Sequence, residues 1–459
     1  MVNSSLSAQR PTLLEQQAGL ISGQPRIRFF GTVTAINGDA VTITGLSHHA
    51  VLNDQVSLAG NTPDGEIIAI NQSDLTAILY DDPRQVKIGA TIYLHPQQNP
   101  KPCTEWIGHV LNHSLRGPDG QEIPQGLEAA PLKTKPPAPA TRKRLGIRLN
   151  TGVAAFDTFL PLCQGQRIGL FAGSGVGKST LLAELAKRTD ADIVILALIG
   201  ERGREVRNFV EDTLGAEGMK RAIVFAATSD DPAPLKKRTA YLAMATAEYY
   251  RDQGQQVLLL FDSLTRFAEA HREVALAAGE VPSLRAFPPS TFRSVAALTE
   301  RAGPGAEGRG DITAIFSVLV AGSNMDEPVA DMVRGILDGH VILEREIAER
   351  GRYPAIDIRR SVSRSLPEAA TTEENQVLAA ARSLISAYEE NAPLIRAGLY
   401  TAGADPLLDE AVRLWPQLDQ FVSLLDVQNA EESFAALKQI LLGETAGQPA
   451  PAQEKSAVG

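Results

Sequence analysis

A chain of 459 residues with 44 Lys and Arg against 54 Asp and Glu carries a net charge of −10, which disfavours general nucleic-acid binding. Its 44% apolar content supports a large core divided over two or three domains. The two cysteines, Cys103 and Cys163, lie far apart in no metal-ligand spacing, which excludes a disulfide scaffold and points to a reducing cytosol.

The first residues, Met1 to Ser7, are polar and lack an apolar signal core. Within residues 1–23, Leu13, Leu14, Leu20 and Ile21 follow Pro11 at amphipathic spacing, and a partner-binding segment is expected there. Residues 24–96 read as β structure. Phe29 to Ile36 and Ala40 to Thr44 flank Asn37-Gly38, a strong hairpin turn, and Glu66 to Ile70 with Leu75 to Tyr80 form a second hairpin. Short strands at this regular spacing predict a small closed barrel.

Residues 97–148 read as a linker and lead-in. Lys133 to Arg148 holds six basic residues and no acid around Pro136-Pro137-Ala138-Pro139, and a solvated linker is expected there rather than a nucleic-acid arm. From 149 to 366 apolar strands alternate with helical stretches, the pattern of an α/β domain with a parallel sheet. Residues 367–443 turn helical, as in Glu374 to Glu389 and Leu407 to Leu418, and residues 444–459 are rich in Ala, Pro and Gln and are expected to be disordered. Apolar runs such as Val257 to Phe261 are too short to span a bilayer. The histidines, among them the pairs His48/His49 and His109/His113, are not spaced as a metal cluster.

The richest segment is Leu170-Phe-Ala-Gly-Ser-Gly-Val-Gly-Lys-Ser-Thr180, a phosphate-binding loop between an apolar strand (Arg167 to Phe171) and a helix. Gly173, Gly175 and Gly177 let the backbone curl so that the N–H groups of Gly173, Ser174, Gly175, Val176 and Gly177 face a polyphosphate. The following helix adds its positive end, Lys178 a cation for the β- and γ-phosphates, Ser179 a hydroxyl for Mg²⁺, and Thr180 continues the cradle. Ala172 stands where the loop pattern has glycine. Downstream, the apolar run Ile193 to Leu198 leads into Gly200-Glu-Arg-Gly-Arg-Glu-Val206, setting Glu201 and Glu205 at the C-terminal end of a buried strand, where parallel sheets present ligand sites. Gln256-Val-Leu-Leu-Leu-Phe-Asp262 is a second such strand ending in an acid suited to a Mg²⁺ shell. On physical grounds alone Asn324 to Asp331, Ile336 to Leu343, Arg350 to Ile358 and Ser361 to Arg364 say little.

Taken with Phe287-Pro-Pro-Ser290, Leu298-Thr-Glu-Arg-Ala-Gly303, Asp262-Ser-Leu-Thr-Arg-Phe267 and Ile336-Leu-Asp-Gly-His340, these segments resemble the flagellar and injectisome protein-export ATPases, within the wider family of rotary ATP synthase subunits. The resemblance runs from about Ile27 to about Leu441. It implies an α/β fold with a RecA-like P-loop ATPase core, an N-terminal small β-barrel and a C-terminal helical domain. It implies ATP and Mg²⁺ as ligands, with Lys178 and Ser179 on phosphate and metal, Glu201 polarising the attacking water, Arg202 and Glu205 flanking that centre, and Asp262 supporting the Mg²⁺ shell. Arg364, in Ser-Val-Ser-Arg, matches an arginine finger that acts on the neighbouring subunit; Tyr353 matches the aromatic that stacks on adenine, and Tyr400 is expected on the other face of the base. A cytoplasmic homohexamer follows, peripheral to the inner-membrane export gate, with a stator or regulator protein, a central stalk protein, export chaperones and substrates as partners.

Three other functions share some of these features. A rotary ATP synthase catalytic subunit has the same chemistry, but the Gly-Glu-Arg-Gly-Arg-Glu-Val form is closer to the secretion branch. A nucleic-acid motor needs clustered charge with aromatics on the barrel, and Phe29, Phe30, Tyr80 and Tyr93 come without it. A structural subunit without turnover would lack Glu201. Flagellar and injectisome branches share every catalytic residue, and the sequence leaves both open.

Overall fold

The structure is a computed structural model and describes residues 28–58, 62–82, 85–283, 286–320 and 325–443. The expected partner-binding segment 1–23, the expected disordered tail 444–459 and Asn324 lie outside the described residues. The chain divides after Gln98 into two compact units.

The first unit is a closed barrel. Its six strands, β1 (Phe30–Asn37), β2 (Ala40–Thr44), β3 (Gln55–Ser57), β4 (Gly65–Ile70), β5 (Asp74–Leu79) and β6 (Thr91–His95), run in the order β1-β2-β5-β4-β3-β6, and β6 pairs back onto β1. Alternating residues Val33, Val41, Ile43, Val56, Ile67, Leu75, Ala77 and Ile92 fill its interior. In the first hairpin Asn37 pairs with Ala40, and Gly38 supplies the left-handed backbone (φ +59°) that a two-residue turn demands.

The second unit is built on a parallel sheet. Its strands are β7 (Val110–Leu111), β8 (Arg167–Ala172), β9 (Ile193–Glu201), β10 (Ala222–Thr228), β11 (Gln256–Asp262), β13 (Asp311–Leu319) and β14 (Gly339–Leu343), joined by the short antiparallel strands β12 (Gly303–Pro304) and β15 (Val362–Ser363). The order is β15-β14-β8-β13-β11-β9-β10-β7, with β12 on β13. The long strands are apolar throughout because both faces are covered. One face carries Ile168, Leu170, Leu196, Leu258, Leu260 and Val341 against the helix Lys178–Arg188 and the C-terminal helices. The other carries Ile195, Leu259, Phe261 and Phe316 against helices Ala233–Asp252, Leu264–Ala277 and Pro289–Thr299.

The C-terminal residues form three helices, Thr372–Arg396, Pro406–Val422 and Ala430–Leu442, whose Leu378, Leu414, Phe421 and Leu437 share the first of these core faces. Each start is capped by a side chain: Thr371 in a capping box with Glu374, Asp405, and Asn429.

The lead-in is bound to this unit at several points, while Lys133, Lys135 and Arg144 within the expected solvated linker are exposed. Trp106 is fully buried and donates its indole N–H to the Pro124 carbonyl at 2.7 Å. Arg142 donates to the Glu300 carbonyl at 2.6 Å, Lys143 pairs with Asp311 at 2.9 Å and Arg148 with Glu374 at 2.9 Å. Arg142, Lys143 and Arg148 thus find acids, which arrive from distant parts of the chain.

Candidate active site

Strand β8 ends at Ala172 and the loop Gly173–Gly177 delivers the chain into a helix that begins at Lys178. Gly175 (φ +77°) and Gly177 (φ +84°) take left-handed backbone. Gly177 is doubly constrained, because a Cβ there would stand 2.9 Å from the Tyr353 ring. Ala172 departs from the loop pattern without strain: it is still strand, paired on both sides with Leu319 and Leu343. Val176 is buried and anchors the loop, while Ser174, Ser179 and Thr180 are exposed and Gly173 is half-buried.

Lys178, Glu201 and Asp262 meet at the C-terminal ends of the strands. Glu201 is the last residue of β9 and Asp262 the last of the adjacent β11. Lys178 Nζ lies 2.5 Å from Asp262 Oδ1 and 3.3 Å from Glu201 Oε1. Burial pushes the Lys178 ammonium down, but the charges of Asp262 and Glu201 outweigh it and hold its pKa above the ordinary lysine value. Burial pushes the Glu201 carboxyl up, Lys178 opposes this, and the neighbouring charge of Asp262 adds to the rise. Ser317, on β13 between β8 and β11, also reaches Asp262, its Oγ donating to Oδ1 at 2.5 Å.

Arg202 and Glu205 sit just beyond this centre. Arg202 precedes the short helix Gly203–Asn208 and pairs with Glu205 at 3.5 Å, both side chains largely exposed. The Glu205 carboxyl also bears on Glu201 through a hydrogen bond that favours its protonated form. Arg364 follows edge strand β15. Its backbone N–H donates to the Asp338 carbonyl and its guanidinium to the Arg334 carbonyl at 3.3 Å, with no hydrogen bond or ion pair to Lys178, Glu201 or Asp262.

Beside the loop lies a cleft of about 440 Å³ lined by Gly175, Gly177, Thr180, Leu181, Glu184, Tyr353, Pro354 and Leu425, large enough for a nucleotide base. Tyr353, expected to stack on adenine, is half-exposed and lines this cleft. Tyr400 does not line it. It sits between the first two C-terminal helices with its hydroxyl donating to Asp409 at 2.5 Å, outside the residues lining the cleft. Leu425 also lines the cleft, held by a bridge to Val153 and by the Asp426 N–H on the Gly152 carbonyl. A lone leucine after a helix offers no sequence signal for this. Ser317 did leave one, a single hydroxyl within the apolar run Ile315 to Val320.

Residues 152–363 match the nucleotide-binding domain of the ATP synthase alpha/beta family, and residues 370–439 match the C-terminal domain of the type III secretion ATPase EscN. A flagellum-specific ATP synthase of Caulobacter vibrioides is 43% identical over 91% of this chain and 97% of its own. The chain belongs to the family of flagellum-specific ATP synthases. The structure of assembled EscN from enteropathogenic E. coli superposes with a TM-score of 0.82 at 36% identity, covering 90% of this chain and all of that one. EscN in complex with its central stalk EscO gives 0.81 at 35% identity, with the same coverage. By family and fold the chain is therefore an ATPase of the type III secretion kind. Among the described residues no helix is long and apolar enough to cross a membrane.

Proposed function

We propose that this ATPase hydrolyses Mg²⁺-bound ATP to drive protein export through a flagellar secretion apparatus, working as a cytoplasmic homohexameric ring. The observation that carries the reading is the division of charge. Lys178, Glu201 and Asp262 converge within one chain, while Arg364 stands apart on the edge-strand side, bonded among the described residues only to backbone carbonyls. An isolated chain thus has a site for binding and water activation, with Lys178 to meet the phosphates, but among the described residues it lacks the second cation that an arginine finger brings to the charge developing on the transferred phosphoryl group. The next subunit of a ring would bring its Arg364 to that place. The assembled state of EscN supports the ring, and the identity to flagellum-specific ATP synthases supports the flagellar branch.

The steps follow from the residues. The N–H groups of Gly173 to Gly177 receive the phosphates, and Lys178 exchanges its carboxylate partners for β- and γ-phosphate oxygens. Glu201, relieved of Lys178, accepts a hydrogen bond from the attacking water. Arg364 of the adjoining subunit stabilises the transition state, an effect typically on the order of 10³–10⁵ in rate. Tyr353 and Leu425 sandwich adenine. The oxygen-only donors Ser179, Glu205 and Asp262, whose Oδ2 makes no hydrogen bond among the described residues, suit a hard cation such as Mg²⁺. Bound there, the metal would neutralise charge on the β- and γ-phosphates. A central stalk protein is the partner that the EscN–EscO complex supports, and a stator or regulator protein, chaperones and export substrates complete the expected set, which would bring the ring to the membrane.

Two inactive variants test the shared site. Glu201→Gln and Arg364→Ala are each expected to turn over at least a hundredfold more slowly than the parent, following the rough range for such groups. Mixed rings contain interfaces with an intact Glu201 on one side and an intact Arg364 on the other, and should regain activity that neither variant has alone. No complementation in verified mixed oligomers would place catalysis within one chain.

A further inference from the structure

Ser317 has no place in the scheme above, yet among the described residues it is the one hydroxyl that donates to the Asp262 carboxylate. It is fully buried, in a run where Ile315, Phe316 and Val318 are also fully buried. A hydroxyl in such a strand is costly unless it is bonded. β13 runs beside β11 with Phe316 opposite Phe261, so Ser317 and Asp262 come next in register. The Ser317 Oγ donates to Asp262 Oδ1 at 2.5 Å, a length typical of charge-assisted O–H···O⁻ bonds. Lys178 Nζ donates to the same oxygen, also at 2.5 Å. Two donors therefore crowd Oδ1, and among the described residues none reaches Oδ2. Asp262 is only 3% exposed, so little water can replace a lost donor.

The two donors differ in mobility. Lys178 stands at the start of the phosphate-loop helix on a flexible stem, whereas Ser317 is fixed in the middle layer of the sheet. When Lys178 turns to a polyphosphate, Asp262 loses its cation at the moment its other oxygen is wanted. We propose that Ser317 is a positioning residue. It keeps hold of Asp262 Oδ1 after Lys178 leaves, fixing the carboxylate so that Oδ2 faces the metal-water shell. This rests on the assignment of Asp262 to that shell. A simple space-filling role would need only a small residue here, and alanine would serve.

The test compares Ser317→Ala, Ser317→Thr and Asp262→Asn in the full chain, with thermal melting as the check on folding. Binding of a fluorescent ATP analogue is titrated in EDTA and then against Mg²⁺, beside steady-state turnover. In Ser317→Ala, affinity in EDTA should stay within about twofold of the parent, while the Mg²⁺ concentration for half-maximal effect on binding rises roughly tenfold, the scale for one hydrogen bond to a charged group. The turnover number should fall with little change in the Michaelis constant for ATP at saturating Mg²⁺. Ser317→Thr, which restores the hydroxyl, should recover the Mg²⁺ dependence. A folded Ser317→Ala protein with unchanged Mg²⁺ dependence, while Asp262→Asn loses it, overturns the proposal and leaves the Asp262 assignment standing. Equal weakening with and without Mg²⁺ also overturns it, placing Ser317 in support of the loop. An unchanged Mg²⁺ dependence in Asp262→Asn removes the assignment and the proposal together.

Discussion

The two ends of the parallel sheet carry similar residues and do different things with them. At the N-terminal ends of the strands, bases are held by fixed acids. Arg167 pairs with Asp338 at 3.1 Å and Glu300 at 2.7 Å, and Lys143 with Asp311 at 2.9 Å. Nearby, Arg301 pairs with Glu248 at 2.6 Å and 3.1 Å. At the C-terminal ends one lysine serves two carboxylates, and among the described residues Asp262 keeps an oxygen unbonded. The first end is a closed network that ties the lead-in segment to the sheet. The second is an open one, held together by a cation that substrate can take away. Charged clusters are therefore poor guides to function by themselves; whether their pairing is complete is the better one.

If that contrast is sound, the open end should fail chemically and stay folded. Glu201→Gln keeps the shape and removes the base, so equilibrium Mg·ATP binding should persist while turnover drops by roughly 10²–10⁴. The pH dependence sharpens this. Burial raises the Glu201 pKa, and Glu201 must be deprotonated to accept from water. Turnover should thus be lost as pH falls through an apparent pKa above the usual carboxylate range, and that acid limb should be missing from the residual activity of Glu201→Gln. Binding lost as severely as turnover would make Glu201 a structural residue like those at the other end.

The closed end should fail the opposite way. Arg301→Ala removes a side chain only 2% exposed and strands the Glu248 carboxylate, 7% exposed, with Thr134 as its remaining bonded partner. It also frees the Leu132 carbonyl, which Arg301 binds at 2.8 Å. Breaking a buried pair from one side costs about 3–5 kcal/mol. The thermal midpoint should fall by several degrees while nucleotide affinity, measured below the transition, stays within about twofold. A weakened nucleotide site at unchanged stability would erase the distinction between the ends.

What could be read from the sequence follows the same line between local and distant. The phosphate loop, the Asn37-Gly38 turn and the acids ending β9 and β11 each depend on neighbours in the chain, and the structure shows them where the pattern put them. Leu425 joins Gly177 in the lining of the cleft from the far end of the chain, so no local pattern marks it, whereas Tyr400, expected at the base, lies outside that lining. The basic run 133–148 looked solvated because its partners Glu300, Asp311 and Glu374 are more than a hundred residues away. The helix Ala430–Leu442 falls within the stretch 367–443 that reads as helical, and Asn429 caps it.

The base cleft gives the mildest test of the open end, since it lies beside the charges and shares none of their chemistry. Tyr353 approaches the Gly177 backbone and is half-exposed, so a purine can cover it without displacing core atoms. An aromatic that binds substrate and transition state alike contributes affinity and leaves the chemical step alone. Tyr353→Ala should weaken ATP binding by roughly tenfold, the scale of one stacked pair with its buried area, with the turnover number at saturating ATP nearly unchanged. Inorganic tripolyphosphate supplies the internal control, because it carries the phosphates that the loop and Lys178 would hold but has no base. Its affinity should be the same for the parent and the variant, and Tyr353→Phe should bind both ligands as the parent does. If tripolyphosphate binding falls in step with ATP binding, Tyr353 is shaping the loop through Gly177 instead of holding the base, and the cleft would belong to the phosphate site rather than stand beside it.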